Sequence, residues 1–258
     1  MANKNEIILE IKNLNFSYSK TNDFCLQDIN LQFEKGKIYS ILGQNGSGKS
    51  TLLHTISSII NKYSGEIIYK NAGQEVNIKT LKNNERAKVI SLTSQTSIGN
   101  SLNVYDTVML GRKPYINISP MMIDHEMTSR SIDIFNLNRL TLKPTNELSG
   151  GELQSVAIAR SFAQNTPIML LDEPTNNLDV KRQHDMFGIL KEQVKAKNLT
   201  VICVLHDINH ALKYSDKIIF MKNGKIVSSG DKKIVTEKLL TKIYDVKAKI
   251  VDKNFVLI

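Results

Sequence analysis

Thiol chemistry is almost missing from this sequence: two cysteines, Cys25 and Cys203, stand among 258 residues. They lie far apart, fit no metal-ligand spacing and sit among apolar neighbours, so the expectation is two reduced, buried, inert thiols of a cytosolic protein. Long apolar runs are missing too. The most apolar stretches, IMLL at 168–171 and VICVL at 201–205, fall far short of the ~20 residues that a membrane-spanning helix needs. The opening MANKNEIILEIK has no apolar core of the kind a signal peptide carries. Internal repeats and low-complexity linkers are also absent.

What is present is the composition of a globular chain, 41% hydrophobic and 23% charged, enough for one large core or two subdomains. The net charge is +9, from 34 Lys plus Arg against 25 Asp plus Glu. Such a balance suits polyanions, whether nucleic acid, an anionic bilayer or nucleotide phosphates, but dispersed lysines also serve plain solubility.

Residues 6 to 18, EIILEIKNLNFSY, alternate apolar and polar as a strand does. INLQFEKGKIYSIL reads as two strands joined at Lys35-Gly36, and GEIIYKNAGQEVNI as a hairpin turning at Asn71-Ala72-Gly73. KSTLLHTISSII has helical spacing. From Val104 to Leu148 the pattern is helical, broken by Pro114 and Pro120. Strand character returns in PIMLLDE (167–173), LTVICVLH (199–206) and DKIIFMKNGKIVSSG (216–230), the last turning at Asn223-Gly224. Helical segments between these strands argue for βαβ units and a buried parallel sheet.

Gly43-Gln44-Asn45-Gly46-Ser47-Gly48-Lys49-Ser50, followed by Thr51, satisfies G-x-x-x-x-G-K-S/T directly after a strand and before a helix. The glycines let successive N–H groups curl around phosphate, Lys49 adds a point charge, and the Ser50 hydroxyl is placed for Mg²⁺. The apolar strand at 168–171 ends in Asp172 and Glu173, where open parallel sheets bind ligands. Alone, this pair reads equally well as a solvated loop. Beside a phosphate loop, Asp172 reads as a Mg²⁺ ligand through water and Glu173 as the base that polarises an attacking water. A second anion-ready turn, Ser149-Gly150-Gly151, precedes another helix. For one nucleotide it is redundant.

LSGGE at 148–152, running into LQSVAIARSFAQNTPIMLLDEPTNNLD, resembles the signature, acidic strand and following loop of the ATP-binding-cassette (ABC) ATPases. The likeness extends from about Leu9 to Gly230. It implies a P-loop NTPase (RecA-like) α/β core with an antiparallel β subdomain and an inserted α-helical subdomain. One ABC ATPase domain would span 1–258, with the core and β layer at about 1–95 and 165–258 and the helical part at about 96–164. It implies ATP and Mg²⁺ as ligands and a homodimer in which Ser149, Gly150 and Gly151 close over the partner's ATP, with Asp179 crossing the interface. It matches Tyr18 to the residue stacking on adenine, Gln95 to the glutamine reaching Mg²⁺ and the attacking water, and His206 to the switch histidine at the γ-phosphate. Glu152 departs from the family pattern, where Gln is commoner.

SLNVYDTVMLGRKPY (101–115) and EPTNNLDVKRQHDMF, with Gln183, are similar to the ATPases of iron-siderophore, haem or cobalamin importers. The alternative is that these are core positions shared by importers of other substrates. The resemblance implies membrane permease partners, an indirect link to a substrate-binding protein, no nucleic acid, and a peripheral place on the cytoplasmic membrane face. Val104, Tyr105, Val108, Met109 and Leu110 would supply a permease groove, some of them packing inward. A soluble ABC-type ATPase acting on nucleic acid or ribosomes is the other class; its usual paired cassettes or long coiled coils are not seen.

Overall fold

The computed structural model describes residues 6–18, 25–94, 99–252 and 255–257. In chain order the first strands and helix are β1 (Ile7–Phe16), β2 (Leu26–Glu34), β3 (Ile38–Leu42), α1 (Lys49–Ile56), β4 (Ser64–Asn71) and β5 (Gln74–Asn77). Then come α2 (Asn83–Arg86), β6 (Ile90–Thr93), α3 (Val104–Met109), α4 (Met122–Ile134), α5 (Gly150–Ala163), β7 (Ile168–Asp172) and α6 (Val180–Lys197). The chain closes with β8 (Thr200–Val204), α7 (Ile208–Tyr214), β9 (Lys217–Lys222), β10 (Lys225–Gly230), α8 (Glu237–Tyr244), β11 (Lys249–Asp252) and β12 (Phe255–Leu257). It divides into two compact units, 1–81 with 200–258, and 82–199.

The first unit holds two layers of sheet. One is antiparallel, in the order β2-β1-β4-β5. Its β4–β5 turn falls at the expected place, with Ala72 and Gly73 at φ of 49° and 80°, the left-handed pair a two-residue hairpin requires. The other follows β10-β9-β3-β8, with β9, β3 and β8 parallel and β10 antiparallel to β9. Strands β3 and β8 are buried at every residue, which is why both read as continuous apolar runs. Beyond Gly230, α8 and the β11–β12 hairpin continue the unit past the last recognised motif; Asn209 clasps the hairpin by exchanging hydrogen bonds with the Val256 backbone at 2.7 and 3.2 Å.

In the second unit α3, α4 and α5 pack on one another, and α5 also packs on the parallel pair β6–β7. Val104 and Val108 are fully buried here, so neither lines a surface groove: the apolar face of α3 is spent on α4 and α5. The LGRKPY segment is structural as well. Arg112 is buried, donating from Nε to Asp124 at 3.0 Å and from Nη1 to the Ala163 carbonyl at 2.9 Å, with its guanidinium 4.0 Å over the Tyr115 ring. Gly111 lets the Arg160 carbonyl approach within 2.1 Å of where a Cβ would stand. Cys203 is buried, and desolvation pushes its thiol far up. Cys25 departs from expectation: it is half-buried and donates to Thr51 Oγ1 at 3.3 Å.

Candidate active site

In the first unit, β3 ends at Leu42 and the chain turns at once into the glycine loop. At Gly43 (φ 154°) a Cβ would meet the Met221 carbonyl at 2.2 Å, and at Gly48 (φ 99°) the Cys25 carbonyl at 2.8 Å. Only glycine fits either place. Among the described residues a Cβ on Gly46 would meet nothing within 4 Å, while the loop's two ends are wedged against backbone. Lys49 is buried and its ammonium donates to the carbonyls of Gly43 and Gln44, both at 2.9 Å. Among the described residues the Ser47 hydroxyl is buried with no hydrogen-bond partner, an orphan of the kind a ligand satisfies. Ser50 and Thr51 follow in the first turn of α1, at the positive end of that helix. This is a cradle that fits a nucleotide's phosphates.

Tyr18 and His206 join that cradle. Tyr18 is 70% exposed, sits edge-on to Phe16 with ring centroids 4.7 Å apart, and places its hydroxyl 3.3 Å from Thr51 Oγ1. An exposed ring held beside the phosphate loop is a platform for a base. His206 follows β8, whose Val204 pairs with Ile41 of β3, and the Leu205 N–H donates to the Ile41 carbonyl at 3.1 Å. Loop and exposed histidine therefore leave the C-terminal ends of two adjacent parallel strands. Gln44 and exposed Asn45 complete the loop.

The second unit carries the carboxylates and the second turn. Strand β7 is buried throughout and ends in buried Asp172, followed by buried Glu173. Glu173 holds φ 51°, an uncommon backbone for a residue with a Cβ and a mark of functional positions. Its Oε2 accepts from Asn176 Nδ2 at 2.7 Å. Gln183 pins the following loop, donating to the Thr175 and Leu178 carbonyls at 3.2 and 3.0 Å. Asp179 then caps α6 by accepting from the Arg182 N–H at 2.8 Å.

Ser149 caps α5 in a reciprocal box: its Oγ accepts from the Glu152 N–H at 3.3 Å, and Glu152 Oε2 accepts from the Ser149 N–H at 2.9 Å. Hydrogen bonds to the carboxylate, first from the Ser149 backbone and then from its side chain, hold the Glu152 carboxyl below its ordinary range. The unusual acid is thus occupied at home as a cap, which leaves the N–H groups of Gly150 and Gly151 as the turn's outward donors. The glycines also meet the loop after β7. A Cβ at Gly150 would lie 3.3 Å from Asn177 Cβ, and one at Gly151 would lie 2.9 Å from the Asn177 carbonyl and 3.0 Å from Arg182 Nη1. Arg182 reaches Glu152 at 3.8 Å and Asp179 at 3.7 Å.

Gln95 lies outside the described residues. Ser50 in the first unit offers a hydroxyl and Asp172 in the second a carboxylate, each a hard oxygen donor; no group of three or more His, Cys, Asp or Glu that could hold a metal ion occurs among the described residues. Residues that sequence reasoning passed over are Asn176 and Arg182, and Asp245, which touches Gln44. The S-x-x-E spacing of the Glu152 cap was the one visible signal. Among the described residues no helix is long and apolar enough to cross a membrane.

The sequence profile of the ABC transporter family matches residues 26–176. The chain is 37% identical over 240 residues to a petrobactin import ATP-binding protein of Bacillus subtilis, covering 92% of this chain and 93% of the relative. Its fold is similar to an ATP-binding cassette solved as a dimer in a post-hydrolysis state with ADP and Pi (TM-score 0.77, 29% identity, 87% of this chain and 98% of the other). It is similar too to an inward-facing ABC transporter assigned to the metal-chelate type (TM-score 0.80, 27% identity, 97% of this chain and 95% of the other).

Proposed function

The chain belongs to the ABC transporter family as an ATP-hydrolysing subunit, and on that premise we propose that two copies close head to tail over two ATP molecules to drive import of an iron chelate. ATPase subunits of this family dimerise and work with membrane permeases. The observation that carries the head-to-tail reading is duplication: one chain presents two anion-ready turns at helix N-termini, 43–50 before α1 and 149–151 before α5. The first serves the chain's own ATP and the second the partner's.

Within that reading each residue has a task. Tyr18 stacks on adenine, and the loop N–H groups, Ser47 and Lys49 hold the phosphates. Mg²⁺ neutralises charge on the β- and γ-phosphates when bound, and Ser50, Asp172 and Gln95 would hold it. Glu173 accepts a proton from the water that attacks the γ-phosphorus, while His206 and Gln95 orient that water and the γ-phosphate. The left-handed backbone at Glu173 and its bond from Asn176 support a carboxylate held in one orientation. Ser149, Gly150, Gly151 and Asp179 complete the partner's site and help neutralise charge as the transferring group departs.

The importing activity named for the Bacillus subtilis relative supports an iron chelate as cargo. The permease would meet exposed Ile118, Met121, Met122 and Ile123, an apolar run leading into the first turn of α4 where solvent alone gives no reason for it. The chain would then sit peripherally on the cytoplasmic membrane face, with a substrate-binding protein acting through the permease. One experiment tests the composite site. A Ser149→Arg chain and a Lys49→Ala chain are each expected to be inactive, and their mixture to bind and hydrolyse Mg-ATP at one restored site. Adding Glu173→Gln to the Ser149→Arg chain should keep that binding and lower turnover by about a hundredfold or more. A mixture of folded proteins that stays unable to hydrolyse ATP would refute the arrangement.

A further inference from the structure

Helix α8 lies beyond the sequence motifs that carry the family likeness, yet it reaches the phosphate loop. The helix ends in Asp245, at φ 58°, and the Asp245 carboxylate accepts from Gln44 Nε2 at 3.1 Å. Lys222 Nζ, at the end of β9, donates to both Asp245 oxygens at 2.7 Å and to the Lys242 carbonyl at 2.7 Å. Gln44 in turn offers its own carbonyl to the Lys49 ammonium at 2.9 Å. A continuous chain of polar contacts therefore runs from α8 through Lys222, Asp245 and Gln44 to the lysine of the cradle. Lys222 stands between two residues that brace the loop from behind. The Met221 carbonyl faces Gly43, and the Gly224 N–H donates to the Ser47 carbonyl at 3.1 Å.

We propose that Asp245 is a positioning residue for ATP binding: anchored by Lys222, it fixes Gln44 and so the carbonyl that presets Lys49. The inference rests on the reading of 43–50 as the ATP cradle. Two physical points shape it. A carboxylate beside a phosphate site is tolerable only while its charge is matched, and Lys222 matches it; the bond from Lys222 is also what holds the Asp245 carboxyl below its usual range. The left-handed backbone at 245 means that alanine there would add strain, whereas glycine or asparagine would not.

The test is Mg-ATP binding and steady-state hydrolysis by the full chain. Asp245→Gly should raise KM about twofold to fivefold, the range of an exposed polar contact, with kcat nearly unchanged. Asp245→Asn keeps an acceptor for Gln44 and should hold KM close to wild type. Lys222→Met uncovers the carboxylate and should raise KM further than Asp245→Gly, an excess that shrinks in ~1 M salt. The double variant Lys222→Met/Asp245→Gly should fall back to the level of Asp245→Gly. Thermal melts establish that each variant folds. Unmoved KM values in Asp245→Gly and Lys222→Met, an Asn variant as impaired as the Gly one, or additive effects in the double variant would each overturn the role of Asp245. Failure of the wild-type chain to bind Mg-ATP would instead overturn the reading of the cradle.

Discussion

Replacing Gly151 by alanine sets two known quantities against each other. Alanine is the better helix former by about 1 kcal/mol in a helix interior and by less in a first turn. The added methyl would stand 2.9 Å from the Asn177 carbonyl and 3.0 Å from Arg182 Nη1. The arginine can swing away, but the carbonyl belongs to a loop that Gln183 pins at Thr175 and Leu178. Overpacking of that kind costs about 1–3 kcal/mol, so the overlap wins and the net loss is about 0–2 kcal/mol. Gly188→Ala is the control. Gly188 lies inside α6, and a Cβ there meets nothing within 4 Å, so it should stabilise by roughly 0.5–1 kcal/mol. Activity should separate the pair further. Moving the 177–179 loop displaces both Asp179 and the Gly151 N–H, and misplacement on the order of 1 Å costs up to about a hundredfold. Urea unfolding and Mg-ATP hydrolysis of both variants make the comparison. A Gly151→Ala protein as stable and as active as wild type would refute the claim that this loop and turn are packed in backbone contact.

Two further outcomes are expected. Met122→Glu places a charge in the exposed apolar run without touching the buried Val104 and Val108; it should leave ATP binding intact and abolish co-purification with the permease, and normal assembly would move the docking surface elsewhere. Glu10 bridges Lys70 at 2.8 Å and Lys12 at 3.3 Å and accepts from Gln32 at 2.7 Å. Its carboxyl, held chiefly by Lys70, falls from 4.5 to about 2. Because the folded value is the lower one, the stabilisation is present above 4.5 and is lost as pH falls toward 2. Glu10→Gln should therefore cost about 1–3 kcal/mol near neutral pH, after allowance for solvent screening, with little difference from wild type near pH 2. A pH-independent difference in denaturant stability would count against the ion pairs.

The elements that were legible in the sequence are those whose causes are local. The hairpin turn at Asn223-Gly224 was readable because both residues adopt positive φ, which few other pairs do. The cradle at 43–50 was readable because its glycines, lysine and serine must be consecutive to curl around phosphate. Ser149 and Glu152 carried their cap in plain view at a spacing of three, though the acid drew notice only as a departure from a pattern. Other features depended on partners distant in the chain. Nothing near Arg112 announces burial against Asp124 and Ala163, and nothing in the apolar pattern at 104–110 separates Val104 and Val108, which face inward, from Leu110, which faces out. Gln44 and Asp245 are 201 positions apart; only the return of β9 beside β3 and the placing of α8 bring them together. Local spacing thus determined which groups this protein possesses for phosphate chemistry, while long-range strand pairing and packing decided which of them hold one another in place, because no short segment contains both ends of such a contact.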